Sequence, residues 1–410
     1  MSPFTTIQIR KRSRRWVEDM TKYIHAAKFF MPHVTESGGY LQITSDGKFG
    51  EYFPETIRPD GDIIEYPDMW VTPGLVDTHI HGLLGHDVMD NDWAGIDAMS
   101  RNLVKAGVTS WLPTTLTGSF SQLKEVCATI AQHAGEESGA KIQGIYFEGP
   151  YFTTKHKGAQ NPKYFKNPSL AEFSEWQSAA NGLIKKIAIA PEREDSVAFT
   201  RQVVSKGTVV ALGHSDATFE QAKACVNAGA SMFTHTFNGM SPLSHRAPGM
   251  VGAAMYLQGV TDELICDGHH VRPEVATTLV RLVGPEHVAL ITDCMRAGMM
   301  PDGDYKLGEL PVYVKDGMAR LKEGNSLAGS VLQLKDALIN LLAWGAATPE
   351  EAVKMATVTP ATSCHIEQQC GSILPGRPAD YLVLDAKLGL HATYLDGQLA
   401  YRAGTQDESK

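Results

Sequence analysis

Along the middle of the chain, short apolar runs alternate with segments whose apolar positions recur at helical spacing. Eight of the short runs read as strands: GLVDTHIH, GVTSWLPTT, KIQGIYFEG, KKIAIAPE, GTVVALGHS, SMFTHTF, DELICDGHH and HVALITDC. The intervening segments carry helix punctuation. DATFEQAKACVNAGA opens on a capping residue and closes on Gly, and RPEVATTLVRLVG has Pro in its first turn and Gly after its last. Eight strands alternating with helices predict an α/β fold, a closed parallel (β/α)8 TIM barrel. The later run SVLQLKDALINLLAWGAATPEEAVKMATVTPATSC predicts a helical hairpin. Its second helix opens with Thr348, Pro349 and Glu351 in capping-box order.

The two ends have a different texture. KYIHAAKFF, GYLQITSDGKFGEYF and DGDIIEYPDMWVTP are β-like runs broken by the turn signals SDGK and PDGD. GSILPGRPADYLVLD and LHATYLDGQLAYRAG repeat that texture near the C-terminus. The pattern predicts a small β-sandwich domain built from both chain ends, residues 20–72 and 371–410, around a barrel at 73–370. Residues 1–19 contain the basic cluster RKRSRR with no apolar signal-peptide core after it. They are expected to form a disordered basic extension.

Composition narrows the function. The chain has 410 residues, 43% hydrophobic and 20% charged, an ordinary soluble globular balance. A formal net charge of -9 speaks against a nucleic-acid partner, which needs a basic face. No apolar run reaches the ~18 to 20 residues of a membrane span. Cysteines 127, 225, 266, 294, 364 and 370 form no CxxC pair, so free thiols and a cytoplasmic location are expected.

The polar residues of the predicted strands are not scattered. His79 and His81 end the first strand, and alternate strand residues point to the same side. Glu148 ends the third strand, His214 the fifth, His235 the sixth and Asp293 the eighth. Strand C-termini form the barrel face on which active sites are built. Alone, each histidine would be a hydrogen-bonded rim residue, Glu148 a salt-bridge partner and Asp293 a helix cap. Together, metal-competent side chains from five separate strands predict a metal centre. Imidazoles and carboxylates without thiolates suit Zn2+ or Fe2+, with Mn2+ and Co2+ also compatible, and spacing does not choose among them.

PGLVDTHIHG, the GHSDAT histidine, the sixth-strand histidine, the TDC aspartate and GSILPGRPADYLVLD resemble the metal-dependent amidohydrolase superfamily. Within it, FEGPY followed by KGAQNP, THTFNGM, APGMVGAA, DGHHV and SLAGS resemble the N-acetylglucosamine-6-phosphate deacetylase family. The resemblance runs from about residue 20 to the C-terminus. It implies hydrolysis of the acetamide of N-acetyl-D-glucosamine 6-phosphate, with an amino-sugar phosphate as the small-molecule partner and a homodimer as the assembly. Glu148, His214 and His235 match the family's principal metal ligands, and Asp293 matches its acid/base. His79 and His81 resemble members that hold a second ion, so one or two ions per subunit are implied. Arg246 matches an arginine that contacts the sugar phosphate, in some members from the neighbouring subunit. Ala159, Asn238, Gly239, His270, Leu327, Ala328 and Gly329 match substrate-contacting positions. Gln160 stands where other members carry a histidine that helps polarise the amide carbonyl. His269 and His270 beside Asp267 form a candidate polar anchor for sugar hydroxyls or phosphate.

Other readings of the same mouth are a galactosamine-6-phosphate deacetylase, a cyclic amidase or a deaminase. A barrel that has kept its shape and lost its chemistry would lack ligands or the acid/base, and this sequence has the whole set.

Overall fold

The computed structural model describes residues 21–404; the basic extension expected at 1–19 lies outside them. Eight parallel strands follow one another around a barrel: Leu75–Ile80, Val108–Thr115, Ile145–Tyr151, Ile184–Ile189, Val209–Leu212, Met232–Phe233, Thr261–Ile265 and Val288–Ile291. Each is hydrogen-bonded to the next. They form because their residues find cover on both faces: every residue of the first three is buried. The ring closes between the first and eighth strands through an Ile80–Cys294 bridge. There the Asp293 N–H donates to the His79 carbonyl and the His81 N–H to the Cys294 carbonyl, both at 2.9 Å.

Helix ends follow the sequence signals. Thr218 and Gln221 make a capping box at the start of Phe219–Asn227, and Thr348 and Glu351 make another at Pro349–Met355. Pro273–Val283 begins on its proline and ends at Gly284, whose φ of 85° lies in the left-handed region. The predicted helical hairpin is cut once more than expected. Leu334–Ala343 and Pro349–Met355 are followed by a separate short helix, Val358–Ser363. Pro360 explains the break, because it has no N–H to continue a ladder from the preceding turn.

Both chain ends join one hydrogen-bonded sheet of eight strands. Its centre pairs Asp62–Pro73 in parallel with Lys22–Phe30 and antiparallel with Tyr381–Leu384. It has its own core, which includes Phe29, Phe49, Val71, Tyr381 and Tyr394. Lys141, beside the barrel, binds Asp380 at 2.8 Å and Asp396 at 2.7 Å, tying sheet to barrel. No helix among the described residues is long and apolar enough to cross a membrane.

The sequence reading omitted a three-stranded antiparallel sheet, Gly303–Leu307, Leu310–Lys315 and Met318–Leu321. Asp316 and Gly317, with φ of 53° and 74°, make the tight turn between its last two strands. Its first turn carries Leu307 to the barrel mouth. There Glu309 accepts hydrogen bonds from Asn161 at 2.7 Å and Tyr164 at 3.1 Å.

One buried carboxyl near the start of the seventh strand gives the fold a pH dependence. Asp262 accepts a hydrogen bond from the Thr236 hydroxyl at 3.1 Å. Burial outweighs that bond and pushes its pKa from 3.8 up to about 8. The folded state therefore retains a proton that the unfolded chain releases. This stabilisation is complete below the unfolded value and is lost as pH rises through about 8. Asp262→Asn should gain melting temperature over the parent protein by a margin that widens from pH 4 to pH 8. Thermal scans showing a constant margin would contradict this assignment.

Candidate metal centre

The expected ligands sit where strands turn into loops. His79 is the penultimate residue of the first strand and Glu148 lies within the third. His214, His235 and Asp293 each follow the last residue of their strand by two positions. All three have positive φ, 47°, 31° and 49° respectively. This left-handed conformation costs a non-glycine residue roughly 1–2 kcal/mol. Such strain, held in place by surrounding structure, clusters at functional sites. Gly158 and Gly239 allow the loops close to the His214 ring, since a Cβ on either would lie 3.1 Å from it.

Two buried ligand groups result, Glu148 with His214 and His235, and His79 with His81 and Asp293. Within each, the ligand atoms lie within 4.8 Å of one another. In the first group Glu148 Oε1 is 3.1 Å from both His214 Nε2 and His235 Nε2. In the second, His81 Nε2 is 3.2 Å from Asp293 Oδ1, and His79 Nε2 is 3.5 Å from the same oxygen. Glu148 links the groups, because its Oε2 reaches His81 Nε2 at 3.3 Å.

The opposite edges of the imidazoles explain this convergence. His81 Nδ1 faces the Thr114 carbonyl at 3.2 Å, His214 Nδ1 that of His156 at 2.9 Å, and His235 Nδ1 that of Asn238 at 3.0 Å. His79 Nδ1 faces Glu263 Oε2 at 3.0 Å. Each partner only accepts, so each Nδ1 carries hydrogen and each neutral ring presents a bare Nε2. The His214 and His235 Nε2 atoms are 3.1 Å apart, and those of His79 and His81 are 3.3 Å apart. Lone pairs facing one another beside two carboxylates fit a divalent cation between them.

The local field agrees. Burial would lower the His235 pKa, but Glu148 outweighs it and raises it to about 9. Burial likewise opposes charge on His81, yet Asp293 and Glu148 raise its pKa well above 6.5. Burial would raise both carboxyls; the facing histidines instead hold Glu148 well below the usual range and bring Asp293 to about 2. A site that favours positive charge on its imidazoles also favours a metal ion in place of the protons. None of the six cysteines belongs to either group. Cys294, next to Asp293, is buried, which pushes its thiol pKa up and away from thiolate.

A cavity of about 230 Å3 opens onto these groups. Among the other expected residues, Ala159, Gln160, Asn238, Gly239, His270, Leu327 and Gly329 line it. Ala328 is buried behind that lining, and Asp267 stands behind His270, accepting from its Nδ1 at 2.7 Å. Arg246 is in an exposed loop and does not line the cavity of its own chain. Gln160 donates one amide hydrogen to Glu148 Oε2 and accepts from the Thr117 N–H at 2.9 Å. It thereby orients the shared carboxylate and keeps one N–H for another acceptor.

Leu116, Leu307 and Ser326 also line the cavity and were not singled out from sequence. Nor were Lys186 and Glu263, a fully buried ion pair inside the barrel. Burial would raise the Glu263 pKa, but Lys186 and His79 bring it down to about 2. Their signal was present as charges interrupting the strand runs IKKIAI and TDELI.

A sequence model of the amidohydrolase family matches residues 70–405. The chain is 39% identical over 346 residues to an N-acetylglucosamine-6-phosphate deacetylase of Vibrio furnissii, covering 84% of this chain and 86% of that one. It is also 39% identical over 329 residues to an N-acetylgalactosamine-6-phosphate deacetylase of Escherichia coli O157:H7, covering 80% and 87%. The crystal structure of N-acetylglucosamine-6-phosphate deacetylase from Thermotoga maritima superposes with a TM-score of 0.84 at 31% identity, covering 93% of this chain and all of that one.

Because Glu148 touches both groups, Glu148→Gln should weaken metal binding at both. The loss should exceed the ~10- to 100-fold that follows removal of a ligand's hydrogen-bond partner. His81→Asn should weaken only the second. Elemental analysis after dialysis against a metal buffer distinguishes the variants, and parental metal content in Glu148→Gln would move the centre elsewhere.

Proposed function

The chain belongs to the amidohydrolase family, and from that membership we propose that it converts N-acetyl-D-glucosamine 6-phosphate to D-glucosamine 6-phosphate and acetate. The observation that carries this reading is the meeting of Glu148, His214, His235 and Asp293 at one cavity. Glu148, His214 and His235 hold the principal ion, and His79 and His81 help to hold a second. Zn2+ or Fe2+ suits these ligands best, and Mn2+ or Co2+ is chemically compatible. When bound, such an ion polarises an amide carbonyl and acidifies water.

The protein's own residues supply the remaining steps. Asp293, ionised at neutral pH, takes the proton of the attacking water and returns it to the departing amine. The free N–H of Gln160 lies beside Glu148, where it helps balance charge developing on the carbonyl oxygen. Asn238, His270 and the Leu327–Gly329 segment orient the sugar. His270 is fixed for this by Asp267.

Phosphate capture falls to Arg246, whose guanidinium can clasp phosphate through two parallel hydrogen bonds. Its exposed position away from its own cavity suits a homodimer in which it serves the neighbouring subunit. The enzyme acts in the cytoplasm, consistent with its buried free thiols and phosphorylated substrate.

Asp293→Asn should lose about 10^3-fold in kcat while keeping the ion of the Glu148, His214 and His235 group, of which Asp293 is not a member; near-parental acetate release would remove Asp293 from the acid/base role. Arg246→Ala should raise KM at least 10-fold for the 6-phosphate with little change in kcat, and should no longer distinguish it from the unphosphorylated sugar. Acetate release from the two epimeric N-acetylhexosamine 6-phosphates should favour the gluco epimer. Preference for the galacto epimer would reassign the substrate.

A further inference from the structure

His79 differs from the other three converging imidazoles. His81, His214 and His235 each lean on a main-chain carbonyl, whereas His79 Nδ1 meets a carboxylate, Glu263 Oε2, at 3.0 Å. The same oxygen accepts the His235 N–H at 3.1 Å. The other oxygen is bound by the Lys186 ammonium, which also donates to the Thr78 carbonyl at 2.9 Å. Tyr146 completes the enclosure. The Lys186 ammonium lies 3.7 Å from its ring centroid, and that ring meets His79 edge-on at 4.8 Å. The Tyr146 hydroxyl pairs with that of Thr234 at 3.1 Å. His79, Lys186 and Glu263 are all fully buried.

We propose that Lys186 and Glu263 are positioning residues for the second ion, fixing the His79 ring so that Nε2 faces His81 and Asp293. The inference rests on the reading of His79 as a metal ligand. A carboxylate behind an imidazole sets its tautomer and orientation and increases its basicity. Lys186 holds that carboxylate from the far side, so Glu263 cannot rotate away from the ring. A buried pair serving only to fill the barrel would not require one oxygen on the ligand ring and the other on the cation.

Glu263→Leu alone strands the Lys186 ammonium in the core and can prevent folding. The test therefore uses the double variants K186M/E263L and K186M/E263Q, neither of which leaves a charge unpaired. Co2+ is titrated into the metal-free full-length protein, and binding is followed by equilibrium dialysis and visible absorption. The parent should bind two ions. K186M/E263L should weaken the second ~10- to 100-fold and the first by clearly less, because the His235 ring keeps its Nδ1 contact to the Asn238 carbonyl when its main-chain N–H loses Glu263. K186M/E263Q, whose amide oxygen still accepts the Nδ1 hydrogen, should recover most of the second. Two ions at parental affinity in folded K186M/E263L, or equal weakening of both, would overturn the proposal. A parent that binds one ion, unaffected by His79→Ala, would overturn the metal reading of His79 and this inference with it.

Discussion

Four imidazoles commit their Nδ1 edges to acceptors and so must turn bare Nε2 atoms toward one another. The rest of the site follows from that constraint. Electron pairs and carboxylates crowded at 3.1–3.7 Å repel unless something positive lies among them. The barrel supplies the rigidity needed to hold groups that would otherwise separate. It also tolerates left-handed backbone at His214, His235 and Asp293, where relaxation would swing the side chains off the mouth.

Glu148 divides its attention between the two groups, one oxygen toward His214 and His235 and the other toward His81 and Gln160. The groups are therefore not independent: a shift of one carboxylate moves both. The supporting layer follows the same economy. Glu263 holds a side chain from the first strand and a main-chain N–H beyond the sixth, while Lys186 comes from the fourth.

Much of this was legible from residues alone. All eight barrel strands coincide with the short apolar runs, because strands covered on both faces leave a compact apolar signature. The capping box at Thr348 was also legible, since it acts within a single helical turn, whereas the one at Thr218 and Gln221 is legible only as a capping residue opening its segment. The supporting ion pair was not, because Lys186 and Glu263 are separated by 77 positions and each reads locally as an exposed charge. Gln160 suggested a donor to substrate, while its bonds to Glu148 and Thr117 required tertiary structure. The three-stranded insertion PDGDYKLGELPVYVKDGMARL carries its clue in the DG turn between its last two strands, but its short strands lie outside the eight-strand barrel alternation.

The barrel is joined to itself by one short bridge at Ile80 and Cys294, whereas its first three strands are held together by longer ladders. Three main-chain hydrogen bonds close it, from the Asp293 N–H to the His79 carbonyl and from the His81 and Gly82 N–H groups to the Cys294 carbonyl. The lips of that gap are the segments bearing His79 and His81 on one side and Asp293 on the other. Transient parting of the wall would therefore dismantle one coordination set in the same motion. An ion seated across the gap would act as a rivet, linking the lifetime of the closed ring to the residence time of its metal.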